Sequence, residues 1–202
     1  ALGAHADDIE IGCGATLLAL QRAHEIEVTW VVLAAEGARE QEARASADAF
    51  LCGAAARQVE CHGFRDGYLP YLGGDVKDVF EALKRELDPE LVLTHGRHDL
   101  HQDHRLVCEL TWNTWRDHMI LEYEIPKYDG DLGSPNLFVP VPEELAREKA
   151  ELILRSFPSQ QGKHWLDAEL LLGLMRVRGM EAHAPSGYAE AFTCRKLSLR
   201  VA

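Results

Sequence analysis

Residues 4–16 of the chain read A-H-A-D-D-I-E-I-G-C-G-A-T, and this stretch decides the fold prediction. An apolar segment ends at His5, and we expect a glycine-containing turn to follow it and then a helix over residues 17–22. A strand that runs through a turn into a helix is the first step of an open α/β sheet, where ligand sites collect at the carboxyl ends of strands. One imidazole and two carboxylates, those of His5, Asp7 and Asp8, lie at this junction.

The chain after this motif alternates between apolar strands and amphipathic helices. The predicted strands are 27–34, 58–61 and 91–94, and the predicted helices are 39–51, 76–87 and 105–115, the second of them capped by Asp75. The continuous apolar character of the strands is typical of strands covered on both faces. The alternation predicts an α/β, Rossmann-like three-layer fold with a mostly parallel sheet and helices on both faces.

The pattern changes after residue 118. There we expect a strand at 120–125, a loop at 126–135, helices beginning at Pro142 and at 166–177, and a closing strand at 189–199. A chain of 202 residues is long enough for one domain with a real core. We predict a single domain over 1–202, with 1–118 as the Rossmann-like core and 119–202 as its C-terminal extension. Because Ala1 already stands near the end of a predicted strand, we expect native residues ahead of it.

Composition narrows the class of partner. The net charge of −12 comes with no basic run, which argues against nucleic acid and anionic membranes and favours a neutral or cationic small molecule. Five cysteines without a C-x-x-C pair indicate reduced thiols and a cytoplasmic protein. No stretch is apolar enough to span a membrane. Whether the chain forms a homo-oligomer is left open.

A second group of chemistry-bearing residues follows the strand at 91–94. Four histidines recur there at three-residue intervals: His95, His98, His101 and His104. A helix that starts near Gln102 places His101 and His104 side by side at its entrance, close to the first motif. A catalytic metal site with three protein ligands needs one donor beyond His5 and Asp8, and this stretch can supply it. We interpret His95 and His98 as polar residues of a strand end and a loop.

The stretches A-H-A-D-D-I-E-I-G-C-G-A-T and H-Q-D-H resemble the two signature motifs of the LmbE-like, PIG-L N-deacetylase family. Members of that family are zinc-dependent amidases that remove acetyl groups from N-acetylglucosamine-containing compounds. The resemblance extends to residues 39–43, Asp66 and residues 188–192. Ala6 and Gln102 replace the more usual prolines, and neither position supplies a ligand atom. Asp99 stands where some relatives carry a tyrosine that helps to bind the oxyanion.

The resemblance implies that His5, Asp8 and His104 hold one Zn²⁺ per chain. Two histidines and one carboxylate with an open position suit zinc and a bound water. The same set is the facial triad of non-haem iron enzymes, so Fe²⁺ or another divalent ion is an alternative.

The resemblance also implies roles for five further residues. Asp7 is the general base that takes a proton from the attacking water, and His101 stabilises the developing oxyanion. Asp103 holds and charges the His101 imidazole. Arg39 and Asp66 contact substrate hydroxyls or a substituent. The implied substrate is an N-acetylated amino sugar conjugate, cleaved to the free amine and acetate.

Two other readings stay open at this level. One is a metal-dependent hydrolase of another bond, such as a phosphoester. The other is a non-catalytic module that binds a sugar or nucleotide on the glycine turn, although Leu17 interrupts the G-x-G-x-x-G pattern. Taken alone, Asp7, Asp8 or Asp103 could be a simple helix cap.

Overall fold

The computed structural model describes residues 1–198 as alternating strands and helices. The first half comprises β1 (Leu2–His5), α1 (Asp8–Ala23), β2 (Glu27–Ala34), α2 (Ala38–Phe50), β3 (Ala56–Cys61) and α3 (Gly73–Glu86). The second half comprises β4 (Leu91–His95), α4 (Gln102–Thr114), β5 (Met119–Tyr123), β6 (Leu137–Pro140), α5 (Glu143–Ser156), α6 (Ala168–Glu181) and β7 (Ala189–Thr193). Short 3₁₀ turns cover Leu69–Leu72 and Pro158–Gln160.

The strands form a parallel sheet and a mixed sheet. Strands β1, β2 and β3 pair in parallel in that order. The second sheet has the order β4-β5-β7-β6, in which β4 and β5 are parallel and β7 runs antiparallel to both of its neighbours. Strand β1 contacts β4, so the carboxyl ends of both lie at one edge. The predicted α/β fold with a mostly parallel first part is confirmed.

Side chains that alternate along the strands divide the core between two faces. On strand β2, Trp30 and Val32 join a cluster with α1, α2, α5 and α6, whereas Val31 and Leu33 join a cluster with α3 and α4. Period-two alternation sends successive side chains to opposite faces of a sheet. Both faces are therefore apolar, which explains why β2 reads as one continuous apolar run and matches its predicted bounds. Three layers result, as predicted.

The first helix differs from the prediction. We expected a glycine turn before a helix at 17–22, but α1 begins at Asp8, so the metal-motif residues form its first turn. The helix is kinked at Cys13, whose φ of −146° interrupts the regular backbone. Buried side chains satisfy the groups freed by the kink: the Glu190 carboxylate accepts from the N–H groups of Ala15 and Thr16, and Lys149 donates to the Ile11 carbonyl. These distant partners explain why local sequence signals did not reveal the helix.

Gly12 and Gly14 are explained by packing rather than by a turn. A Cβ on Gly12 would lie 2.2 Å from Cδ2 of Tyr123, and a Cβ on Gly14 would lie 2.6 Å from Cε1 of Phe50. Both glycines therefore allow α1 to approach buried aromatic rings.

This packing predicts that Gly12→Ala destabilises the protein. Overpacking of a tight core costs about 1–3 kcal/mol, so the free energy of unfolding should fall by at least that amount. Gly173→Ala is the matched control, because a Cβ on this helical glycine meets nothing within 4 Å. It should stabilise the protein by about 0.5–1 kcal/mol. Urea unfolding measures both changes, and equal effects of the two substitutions would contradict this account of Gly12.

Two smaller predictions differ from the structure, and one strand was not predicted. Asp75 does not cap α3, because the helix begins at Gly73 after a 3₁₀ turn and Leu72 occupies the capping position. Strand β6 was not predicted, since its four residues are too short to give a pattern. The closing strand ends at Thr193, and the predicted end at Leu199 lies outside the described residues.

Over the described part of the chain, no helix has the length and apolar character needed to cross a membrane. The boundary at 118/119 stays a prediction.

Candidate active site

The residues singled out by the sequence meet at the carboxyl edge of the sheets. His5 is the last residue of β1, and Asp7 and Asp8 follow it at the start of α1. His95 ends the neighbouring strand β4, and the loop behind it leads to His101, which caps α4. The Ala4 N–H donates to Nε2 of His95 at 3.0 Å and joins the two strand ends.

Donor atoms of three residues converge at this edge. Nδ1 of His5 lies 3.1 Å from Nε2 of His104 and 3.3 Å from Oδ2 of Asp8, and Nε2 of His104 lies 3.4 Å from Oδ1 of Asp8. Donors held about 2.0–2.1 Å from a tetrahedral zinc are separated by about 3.3 Å. The spacing and chemistry of the three donors therefore fit a divalent metal.

Carboxylates contact one nitrogen of each imidazole, and the other nitrogen of each ring faces the donor set. Nδ1 of His104 lies 2.9 Å from Oδ2 of Asp99, and Nε2 of His5 lies 3.2 Å from Oδ2 of Asp103 and 3.1 Å from Oδ1 of Asp66. An imidazole that donates from one nitrogen presents the lone pair of the other, which is the usual support of a metal-binding histidine. Asp99 thus has a structural partner that the sequence did not suggest.

The charges at this centre are strongly coupled. Burial opposes ionisation of Asp8, but His104, His95 and His5 outweigh it and hold the pKa of the carboxyl well below its usual value. Burial likewise opposes a charge on His5, and the Asp8 carboxylate outweighs that effect and raises the pKa of the imidazole well above its usual value. An ionised Asp8 is the form that binds a cation, whereas a protonated His5 must first lose the proton from Nδ1.

Asp7 points elsewhere than Asp8 and forms an ion pair with Arg39. Nη2 of Arg39 lies 2.8 Å from Oδ2 of Asp7, and Nη1 of Arg39 donates to Glu42 at 2.9 Å. Asp7 occupies the N-cap position of α1, but its side chain makes no capping hydrogen bond. Burial raises the pKa of Asp7 despite the neighbouring guanidinium. Asp7 is therefore a buried carboxylate with a raised pKa that pairs with an arginine of α2.

His101 and Asp103 are brought together, but not in the way the sequence implied. The backbone N–H of Asp103 donates to Nδ1 of His101 at 3.3 Å. The Asp103 carboxylate instead accepts from the N–H groups of Gly67 and Leu69 and contacts His5. Burial, with the charges of His104 and His5, lowers the pKa of His101. A neutral His101 that accepts at Nδ1 carries its proton on Nε2 and can donate there.

His95 is more central than the sequence interpretation allowed. Its fully buried ring stacks on His104 with centroids 3.9 Å apart, and Nε2 lies 3.1 Å from Oδ2 of Asp8. Burial and the neighbouring His104 lower the pKa of His95 to about 4, so the ring is neutral. The three-residue spacing of the histidines was the signal that could have identified it.

Three groups of side chains could each hold a cation, with ligand atoms within 4.8 Å of one another. They are His5/His101/His104, Asp8/His95/His104 and His5/Asp66/Asp103. The second group is disfavoured, because Nε2 of His95 is already the acceptor for the Ala4 N–H. His5 and His104 each occur in two of the groups, so the candidate metal-binding side chains cluster between β1 and α4.

Comparison with known proteins identifies the family. A family model described as "PIG-L: GlcNAc-PI de-N-acetylase" matches residues 1–115. The search of curated proteins finds no match. Among solved structures, the chain is similar to the conserved protein TT1542 from Thermus thermophilus, with a TM-score of 0.75, 22% identity and coverage of 99% of this chain and 95% of that one.

Two further structures show that one fold carries different chemistry. N,N′-diacetylchitobiose deacetylase from Pyrococcus horikoshii matches with a TM-score of 0.72 at 22% identity. The match covers 95% of this chain and 80% of the deacetylase chain. GalB, a 4-carboxy-2-hydroxymuconate hydratase from Pseudomonas putida KT2440, matches with a TM-score of 0.70 at 17% identity. The match covers 100% of this chain and 98% of the hydratase chain. Several other matched structures are deacetylases.

At these identities the structural likenesses establish the fold alone, whereas the family model identifies the sequence itself. The model covers more than half of the chain and includes both motifs, the one around His5 and the one around His104. The match to this model supports an N-deacetylase, and the chain belongs to the PIG-L (LmbE-like) family.

Proposed function

We propose that this chain is a metal-dependent hydrolase that removes the acetyl group from an N-acetylglucosamine-type amino sugar or its conjugate. The observation that carries the proposal is the meeting of His5, Asp8 and His104 within 3.1–3.4 Å, with a further buried carboxylate, that of Asp7, on the residue before Asp8. A hydrolase needs a polarised carbonyl, a water and a base at one point. These residues come from two separate motifs, with His5 and His104 standing 99 positions apart in the chain, and they match the family's pattern.

His5, Asp8 and His104 would hold the metal, for which we propose zinc, with Fe²⁺ or another divalent ion as the alternative. When bound, such a metal polarises the acetyl carbonyl and lowers the pKa of a water from about 15.7 toward about 7. The carboxylates of Asp99 and Asp103 orient the two imidazoles from behind. The other steps belong to side chains of this chain.

Asp7 acts as the general base. It takes a proton from the water whose oxygen adds to the acetyl carbon. Arg39 holds Oδ2 of Asp7, and over the described residues no hydrogen bond reaches Oδ1, which is therefore available for the proton. The raised pKa of Asp7 makes this carboxylate a better proton acceptor than an exposed one.

His101 acts on the tetrahedral intermediate. Its Nε2–H donates to the oxyanion that forms from the acetyl oxygen, which is where a preorganised donor stabilises the transition state. Collapse of the intermediate breaks the C–N bond, and the departing amine takes the proton that Asp7 received from the water, because a neutral His101 has no second proton to give. Asp66, whose side chain is exposed and contacts His5, is positioned to meet a substrate hydroxyl.

Mass spectrometry of a panel of N-acetylhexosamine conjugates tests this function. The metal-loaded protein should convert at least one conjugate to the species lacking a single acetyl group and should release acetate. A chelator should abolish the conversion. Hydrolysis of phosphoesters with intact acetamides would instead support a different hydrolase. Binding of sugars without turnover would support the non-catalytic module.

The contact between Arg39 and Asp7 gives a prediction that separates two roles of Arg39. If Arg39 orients the base, Arg39→Met should lower kcat about tenfold or more with little change in KM. If Arg39 contacts the substrate, as the sequence implied, KM should rise while kcat is kept. Arg44→Met is the control, since Arg44 lies on the same helix in an exposed pair with Glu40. Steady-state kinetics on the best substrate of the panel decide between the two.

A further inference from the structure

Exposed apolar side chains are concentrated beside the proposed site. In the described part of the chain, ten large apolar residues are exposed, and half of them come from segments that adjoin the site. These five are Tyr68, Tyr71, Leu100, Tyr128 and Leu132. Tyr71 and Tyr128 are the most exposed of them, at 80% and 79%. Apolar area that is left open next to a polar centre marks a binding surface more often than scattered single residues do.

The first segment, residues 66–71, is fixed to the site by its backbone. Asp66 contacts Nε2 of His5 at 3.1 Å, and Asp103 accepts from the two N–H groups that flank Tyr68. The N–H of Tyr71 donates to the Tyr68 carbonyl, and the two rings lie 5.8 Å apart. The backbone of this segment is therefore attached to the centre, and both tyrosines extend from it with exposed rings.

The second segment, residues 127–132, is attached to residues that precede the second motif, the one around His104. Nζ of Lys127 lies 2.9 Å from Oδ2 of Asp99 and 2.6 Å from Oδ2 of Asp131. Asp131 also accepts from the N–H of Leu100, the residue before His101. Tyr128 and Leu132 flank these anchors in sequence. The segment is thus attached to the same aspartate that orients His104.

The basic groups of and beside the two segments are already engaged within the protein. Lys127 pairs with two carboxylates, and the guanidinium of Arg65, next to the first segment, stacks over the Tyr68 ring at 3.6 Å. The segments therefore offer a ligand tyrosine faces and leucine side chains, with the exposed carboxylates of Asp66 and Asp129 beside them. Tyrosines give large contact areas at low cost in conformational entropy.

We propose that the segments 66–71 and 127–132, with Leu100, form a subsite for an uncharged apolar aglycone, an alkyl or aryl group attached to the amino sugar. This inference rests on the proposed deacetylase function and narrows its substrate class. The acetamide would lie at the donor set of His5, Asp8 and His104, and the aglycone would lie along the tyrosines and leucines.

The test compares three acetamides with the metal-loaded full chain: the methyl and octyl glycosides of N-acetylglucosamine, and diacetylchitobiose. We expect kcat/KM for the octyl glycoside to exceed that for the methyl glycoside by about tenfold or more. Tyr71→Ser and Tyr128→Ser should each reduce this preference severalfold through KM and leave the methyl glycoside unchanged. Met180→Ser is the matched control, because Met180 is also exposed but lies on α6, which supplies no residue to the proposed site.

The outcomes are distinguishable. Hydrolysis of the methyl glycoside with no octyl preference overturns the subsite and leaves the proposed function standing. A preference for diacetylchitobiose over the octyl glycoside, or an octyl preference that neither tyrosine substitution changes, also overturns it. Failure to hydrolyse any acetamide overturns the proposed function, and the subsite with it.

Discussion

Asp7→Asn should lower kcat at least about a hundredfold while the metal stays bound, because a lost general base costs about 10²–10⁴ in rate. The asparagine keeps the shape of the side chain and can still accept from Arg39, which lies 2.8 Å from Oδ2. It cannot take a proton from water. Metal content by atomic spectroscopy and steady-state kinetics on an acetamide substrate measure the two effects separately.

Asp48→Asn is the matched control for this substitution. Asp48 also pairs with an arginine, Arg57, at 2.9 Å, but on the exposed side of α2. The control should keep wild-type kcat. Turnover of Asp7→Asn within a few fold of the wild type would exclude Asp7 as the base, and loss of the metal would show that Asp7 helps to bind it.

Removal of the metal should abolish activity and lower stability in parallel. A metal present at a hundredfold excess over its Kd stabilises the folded state by about 2.7 kcal/mol, or about 5–10 °C in Tm for a chain of this size. A chelator should therefore lower the Tm of the wild type by about that amount, and added zinc should restore both Tm and turnover. His104→Ala should show no turnover and no response of Tm to the chelator or to zinc.

His118→Ala is the control for the histidine substitution. His118 also contacts two carboxylates, those of Asp88 and Asp117, but outside the site. It should keep both the turnover and the metal-dependent Tm. Because His104 is buried, His104→Ala also creates a cavity, so the comparison uses the change in Tm on chelation rather than the absolute Tm. A chelator-sensitive Tm in His104→Ala would contradict its role as a ligand.

Elements with strong local patterns could be predicted from the sequence. Strand β2 matched its apolar run because residues 30–34 are buried on both faces of the sheet, so each of these consecutive residues is apolar. Helix α1 could not be predicted at its start. Its two glycines resemble a turn, and the reason for them is the approach of Tyr123 and Phe50, which are distant in sequence.

The candidate site could likewise be predicted from the sequence only in part. Spacing of three residues predicts that His5 and Asp8 face one centre and that His101 and His104 join it, and Nδ1 of His5 lies 3.3 Å from Oδ2 of Asp8. Spacing could not predict two side-chain contacts of the site: the contact of Asp99 with His104, and the pairing of Arg39 with Asp7. Side-chain direction depends on the packed structure, and sequence spacing does not report it.

The most direct test of the account is the position of the metal in a zinc-loaded crystal, located by anomalous scattering. We expect one strong peak about 2.0–2.2 Å from Nδ1 of His5, Nε2 of His104 and a carboxylate oxygen of Asp8, with Asp7 outside bonding distance. A peak that is bound by another group of residues, or no peak at this edge of the sheet, would contradict it.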